Sequence, residues 1–369
     1  MKSDNTKDLT QGSPMSLILQ FSIPLLLGFL FQQFYNVVDT AIVGKYLGKD
    51  ALAGVGSTGA INFMVNGFVI GICNGFTIPV AQRFGAKKYT DMRRFITHSI
   101  YLSVFFSIVI TTLVSLFCKN ILQAMNTPED VFSYAYEYIF LIFLAIPLTF
   151  LYNLLSGIIR ALGDSRHPVL FLIIASFVNI GLDLLFIVRF RMGVAGAAYA
   201  TMASQLISGI LCILYIGKKL PILHPQKGEY AYDRSYVTKL LQMGIPMGLQ
   251  YSITAIGSVI LQTAINGLGS DAMAAVTAGG KVSMFFCCPF DALGSTMATY
   301  GGQNVGAGRL DRIGQGLTCA VILGSVYSVL AFIIMYFFGG DFAKLFLSAD
   351  ETQALQNAHL FLICNSLFY

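Results

Sequence analysis

Ten long apolar runs divide this chain, at about 16–38, 52–80, 95–117, 134–156, 168–188, 193–216, 239–266, 273–300, 315–338 and 354–369. Roughly 20 apolar residues suffice for an α-helix to cross the hydrocarbon of a bilayer. There every backbone polar group must find its partner within the structure, so only helices and closed barrels span. The runs are continuous and do not alternate with period two, which predicts helices and not barrel strands. Composition agrees: 56% of the 369 residues are hydrophobic and 11% charged, against about 25% charged in soluble domains. With a mean hydropathy of +0.70, the chain cannot cover a water-facing surface. A cytosolic enzyme, a nucleic-acid binder and a disordered chain are excluded. The formal charge of +5 is too small and too dispersed for a nucleic-acid footprint. The sequence predicts an all-α polytopic membrane protein.

Cysteine usage adds little. Cys73, Cys118, Cys212, Cys287, Cys288, Cys319 and Cys364 lie mostly within apolar runs, where they read as small hydrophobes. The polar first dozen residues and the long run behind them do not resemble a cleavable signal peptide. Orientation follows from the basic residues, which favour cytoplasmic loops. With the N-terminus inside, the inner segments hold Lys2, Lys7, Arg83, Lys87, Lys88, Arg93, Arg94, Arg160, Arg166, Lys218, Lys219, Lys227, Arg234, Lys239, Arg309 and Arg312, while the outer ones hold only Lys45, Lys49, Lys119, Arg189, Arg191 and Lys344. A multi-pass protein of the plasma or inner membrane, N-terminus cytoplasmic, is expected.

The two halves repeat. Leu47, Gly48, Asp50, Ala51, Ala53 and Val55 match Leu268, Gly269, Asp271, Ala272, Ala274 and Val276 at a constant offset of 221 residues, and Gln82, Gly85 and Ala86 match Gln303, Gly306 and Ala307 in the same register. Six runs separate the repeat starts, and an even number preserves orientation, so the halves are parallel repeats about an axis along the membrane normal. Residues 1–216 are read as an N-lobe of helices 1–6, 217–238 as a cytoplasmic inter-lobe loop, and 239–369 as a C-lobe of helices 7–10. Tyr369 corresponds to Leu148 in the first half. The expectation is a twelve-helix architecture of two six-helix lobes with the second truncated after about helix 10, a natural ten-helix chain being the alternative.

Carboxylates inside apolar runs are costly and are functional candidates by default. Asp39 is placed near the outer end of helix 1, and Asp183 lies in helix 5, four residues after Asn179, so that both side chains share one helix face. The bland alternatives are that Asp39 caps a helix end and Asp183 is a satisfied interhelical acceptor. Lys281 and Asp291 fall within helix 8 as candidate substrate-cleft residues, about 80° off a common face at 3.6 residues per turn. Gly67, Gly71 and Gly75 form a stripe of the kind that packs helices closely. Pro24, Pro79, Pro147, Pro246 and Pro289 remove helical hydrogen bonds, and Pro24 is the candidate hinge. No HExxH, GxSxG or phosphate-binding loop occurs, so no enzyme, cofactor or use of ATP is expected. An ion gradient remains: one charge crossing 100 mV is worth roughly 2.3 kcal/mol, or about fifty-fold in concentration.

These residues resemble the multidrug and toxic compound extrusion (MATE) family, within a larger flippase-like superfamily. The resemblance rests on Ile23-Pro24, Val38-Asp39-Thr40, the Leu47-to-Ala53 block, Gln82-x-x-Gly85-Ala86, Arg160-Ala161-Leu162-Gly163-Asp164 through Pro168, and Gln303-Asn304-x-Gly306-Ala307-Gly308. It implies two six-helix lobes around a central cleft and efflux of cationic or amphiphilic compounds in exchange for Na+ or H+. Similarity to the DinF-like branch implies a cation-coupling site of Asp39, Tyr138, Asn179, Asp183 and Thr201, with Na+ the only metal to be expected there. Small-molecule substrates, the bilayer and a monomeric state follow, with no nucleic acid. A lipid-linked oligosaccharide flippase, which needs a more cationic cavity than Lys281 alone supplies, and a non-transporting receptor are the competing readings.

Overall fold

Long unbroken apolar stretches fold as helices in a bilayer because their backbone bonds close locally. The computed structural model describes residues 6–266, 270–344 and 352–367, and no strand occurs among them. The helices are α1 (Pro14–Leu47), α2 (Lys49–Ser57), α3 (Gly59–Gly85), α4 (Tyr89–Leu116), α5 (Cys118–Ala124), α6 (Glu129–Leu144), α7 (Ile146–Ala161), α8 (Arg166–Asp183), α9 (Gly193–Lys219), α10 (Arg234–Asn266), α11 (Ser270–Gly306), α12 (Leu310–Ala343) and α13 (Thr352–Ser366). Six are long and apolar enough to cross a membrane among the described residues, or seven if the α6–α7 pair counts as one span.

Three elements differ from the sequence expectation. The run at 134–156 is not one helix: α6 and α7 meet at a 46° bend around Ala145, just before Pro147, which has no N–H to continue the ladder. The run at 52–80 is two helices, α2 and α3, broken at Thr58. Helix 1 runs on to Leu47, so Asp39 sits two turns inside it and caps nothing. Pro24 lies within α1 without ending it.

The first half forms one continuous core, including Val69, Phe76, Phe95, Ile139, Phe150, Ile158 and Cys212. The halves then meet along α3 and α10. A Cβ on Gly71 would stand 2.4 Å from the carbonyl oxygen of Met247, and one on Gly75 2.5 Å from the Cα of Gly244. The glycine stripe is thus the close-packing surface between lobes. Helix α1 joins the second half through Leu17, Phe21 and Leu25, which cluster with Ala292 and Tyr300 of α11.

The repeated motifs face each other at the end of the bundle that carries the basic loops. A Cβ on Gly85 would lie 2.0 Å from the Gln303 carbonyl oxygen, and one on Gly306 1.7 Å from that of Gln82. The contact is reciprocal, as a two-fold relation between parallel repeats requires. The segment before α1 crosses this seal. Leu9 N–H donates to Gln303 Oε1 at 2.8 Å, Gln303 Nε2 donates to the Ala161 carbonyl at 2.9 Å, and Lys7 N–H donates to the Leu162 carbonyl at 3.1 Å. Both lobes are therefore tied together at the basic face.

The inter-lobe loop is pinned to α4. Arg93 and Glu229 pair at 2.7 Å with side chains 9% and 5% exposed, and Asp233 N–H donates to His98 Nε2 at 2.9 Å. The Arg93 guanidinium beside Glu229 holds that carboxyl below the usual carboxylate range. A lowered folded-state pKa contributes stability that is present above the unfolded value, about 4.3, and is lost as pH falls through the folded one. Glu229→Ala should destabilise the protein by about 2 kcal/mol at pH 7, between an exposed and a fully buried pair. Thermal unfolding in detergent checks this, and the gap between wild type and variant should narrow below about pH 4.

Candidate functional site

Two acids from different helices converge inside the first half. On α1, Tyr35 and Asp39 stand one turn apart and are half-buried; on α8, Asn179 and Asp183 stand one turn apart and are 1% and 0% exposed. The Asp39 and Asp183 carboxyls lie close enough to act on each other directly. Tyr138 of α6, 8% exposed, and Tyr35 lie within electrostatic range of both. No protein donor satisfies the cluster: Asp183 Oδ1 and Oδ2, Asp39 Oδ1, and both polar atoms of the Asn179 amide are buried without a partner among the described residues. That removes the reading of Asp183 as a satisfied interhelical acceptor. Buried polar atoms are nearly always paired, and each exception needs an explanation.

The chain reaches this arrangement locally. Spacing of i and i+4 puts each pair on one face. Directly after Asp183, α8 widens into a π-helical turn, Leu184–Arg189, of the kind often found at functional sites. The adjacent Gly196 of α9 fits closely against Phe186 and Ile187 of that turn.

Chemically, two facing carboxyls bond to one another only if one holds a proton, since an ionised carboxylate is acceptor-only. Otherwise a cation must stand between them, and carboxylate, amide and phenol oxygens suit a hard cation. Of the five residues assigned from sequence, Asp39, Tyr138, Asn179 and Asp183 come together. Thr201 lies half-buried on α9, and its hydroxyl bonds to neither Asp183 oxygen. Tyr35 was missed, although its position one turn before Asp39 was the available signal.

A second polar region lies between the lobes. A cavity of about 370 Å³ is lined by Asn74 of α3, Arg160 of α7, Gln250 and Tyr251 of α10, and Asp291 and Thr299 of α11. Asp291 therefore faces the inter-lobe space, whereas Lys281 is exposed on α11 and is not among its lining residues. Arg160, counted above among the inner basic residues, keeps its backbone at the basic face beside Ala161 and turns its side chain into this cavity. Lys281 is thus not the only cation among the helices.

Comparison with known proteins matches the chain to one family. The family model described as MatE matches residues 24–185 and 246–369. The chain is 29% identical to the probable multidrug resistance protein YoeA of Bacillus subtilis over 339 residues, covering 90% of this chain and 73% of that protein. It is 25% identical to an FAD transporter of Shewanella oneidensis, covering 92% of this chain and 75% of the other. Among solved structures, the outward-facing conformation of a multidrug resistance MATE family transporter of the MOP superfamily superposes with a TM-score of 0.92 at 22% identity, covering 98% of this chain and 80% of that one. This last likeness shows the fold.

Proposed function

This chain belongs to the MatE family, and on that premise we propose that it is a secondary active exporter of cationic or amphiphilic compounds, driven by inward exchange of Na+ or H+. The observation that carries the reading is the facing Asp39–Asp183 pair, in which Asp183 is fully buried and neither its oxygens nor Asp39 Oδ1 meets a donor among the described residues. A proton or Na+ completes the pair and neutralises it. Its release leaves negative charge inside the first lobe, which favours a lobe arrangement that admits a cation. Asn179, Tyr138 and Tyr35 supply neutral oxygens, and Thr201 is the further ligand that family resemblance assigns. Exchange follows when ion and substrate favour different states of one equilibrium. Bending of α1 at Pro24, where a helical hydrogen bond is missing, is the movement that links the ion site to the cleft.

Supporting names come from the relatives, several of which are called probable multidrug resistance proteins. The charge rule makes the basic face cytoplasmic, so the reciprocal glycine contact seals the inner side. Reconstituted into liposomes, the protein should concentrate a cationic dye such as ethidium when an opposing Na+ or pH gradient is imposed. Dissipating the gradient with an ionophore should stop accumulation. Transport indifferent to both gradients would refute the exchange mechanism.

A further inference from the structure

We propose that the cavity between the lobes is a zwitterion site, in which Arg160 takes an oxyanion, carboxylate or phosphate, and Asp291 takes an ammonium at the other end of the same molecule. The inference deepens the exporter reading and rests on it only for the claim that the bound molecule is then moved.

The two charges belong to different lobes. Arg160 closes α7 in the first, and Asp291 lies on α11 in the second. They line one cavity but do not pair with each other. Among the described residues the ion pairs are Arg93–Glu229, His167–Asp164, Arg309–Asp311 and Lys344–Asp341. The guanidinium makes one weak bond, from Nη2 to Asn74 Oδ1 at 3.4 Å, although it carries five N–H donors in a planar fork. No hydrogen bond holds Asp291 among the described residues.

Position makes this unusual. Asn74 precedes Gly85 by eleven residues and Asp291 precedes Gly306 by fifteen. Arg160, next to the Ala161 carbonyl that Gln303 binds, lines the cavity's inner end, and at 1.5 Å per residue Asp291 stands about 22 Å along α11 from the seal, within a hydrocarbon zone about 30 Å thick. A charge there is expensive and is normally paired. Had the cavity served structure alone, the opposite charges would have closed on each other. Held apart, they leave an Arg fork that matches carboxylate or phosphate bidentately and an acid that matches an amine. Phe290 and Tyr251 add apolar and aromatic wall, and the volume of about 370 Å³ falls within the range of small-molecule sites. A zwitterion satisfies both charges at once, whereas a purely cationic substrate engages Asp291 alone.

The test uses the purified protein in detergent with no gradient, titrated by dansyl fluorescence. Nα-dansyl-lysine carries carboxylate and ammonium on one aromatic body, its methyl ester only the ammonium, and dansyl-norleucine only the carboxylate. The lysine derivative should bind about ten- to a hundredfold more tightly than either, the worth of one charge-assisted contact. Arg160→Gln should bring acid and ester to one affinity while ester binding persists, which also shows that the variant is folded. Asp291→Asn should equalise the lysine and norleucine derivatives. If either variant fails to fold, the wild-type series decides alone. Equal affinities for acid and ester in the wild type, no saturable binding of the acid, or a preference that survives Arg160→Gln would each overturn the proposal. Added phosphatidylethanolamine, whose head group is also a phosphate and an ammonium, identifies the source. Displacement of the probe assigns the site to a lipid head group, and retention assigns it to a soluble zwitterion. Because binding is read at equilibrium, a positive result alongside failed gradient-driven export removes the exporter reading and leaves the site standing; the reverse pattern removes the site alone.

Discussion

Asp183→Asn should abolish gradient-driven accumulation of a cationic dye, taking the concentration ratio across the membrane from up to about tenfold for a tenfold opposing gradient of the exchanged ion to one. The substitution keeps shape and removes one carboxyl of a facing pair, whose Asp183 oxygens no donor among the described residues satisfies. A lone Asp39 facing an amide needs no shared proton and offers a cation one charge fewer, so binding and release no longer follow the gradient. Asp39→Asn should do the same. Neither change adds volume, so detergent-extracted yield and thermal midpoint should stay near wild type. Accumulation ratios in proteoliposomes give the measurement, and an Asp183→Asn protein that still concentrated the dye would place coupling elsewhere. Thr201→Ala, whose hydroxyl reaches neither Asp183 oxygen, should keep most of the activity. That comparison separates the ligand set implied by family resemblance from the one that the packing brings together.

The second large effect is expected at the seal. Gly306→Ala places a methyl 1.7 Å from the Gln82 carbonyl oxygen, where a normal carbon–oxygen contact is about 3.3 Å, and neither partner is a movable side-chain end. The lobes must separate at the basic face. Overpacking of this kind costs about 1–3 kcal/mol, enough to shift a two-state equilibrium by roughly five- to a hundredfold away from the sealed arrangement. Gly85→Ala should act alike, because the contact is reciprocal. Gly301→Ala, which would meet nothing within 4 Å, is the matched control. A cysteine introduced at Thr299, in a background whose native cysteines are replaced, should label faster from the basic side in both glycine variants. Unchanged labelling in Gly306→Ala would show that this crossing is not the seal.

Much of this was written along the chain. Spans, their parallel repetition and the polarity of the loops are one-dimensional signals, because a bilayer demands local hydrogen bonding and about 20 apolar residues whatever the neighbours do. The Gln-x-x-Gly-Ala motif was visible twice in register, as were Asp39 and the Asn179–Asp183 spacing. Each helix face is set by its own 3.6-residue period, so residues one turn apart could be assigned together before any packing was known. Tyr35 was within reach of the same rule.

What remained belonged to contacts between distant segments. Asp39 and Asp183 are separated by most of the first lobe, and only the seating of α1 against α8 shows that they meet and that no donor among the described residues reaches the Asp183 oxygens. The same holds for Gly85 against Gln303, whose reciprocity turns two copies of a motif into one seal. Arg160 is the plainest case. In sequence it follows an apolar run and counts as a loop cation, because hydropathy sees only composition along the chain. The 46° bend between α6 and α7 and the packing of α7 beside α3 carry it into the cavity opposite Asp291. Helix identity follows from local hydrogen bonding and burial, which a sequence specifies residue by residue. Which charges face one another across two lobes depends on bends and crossing geometry, and those are fixed only when the helices pack.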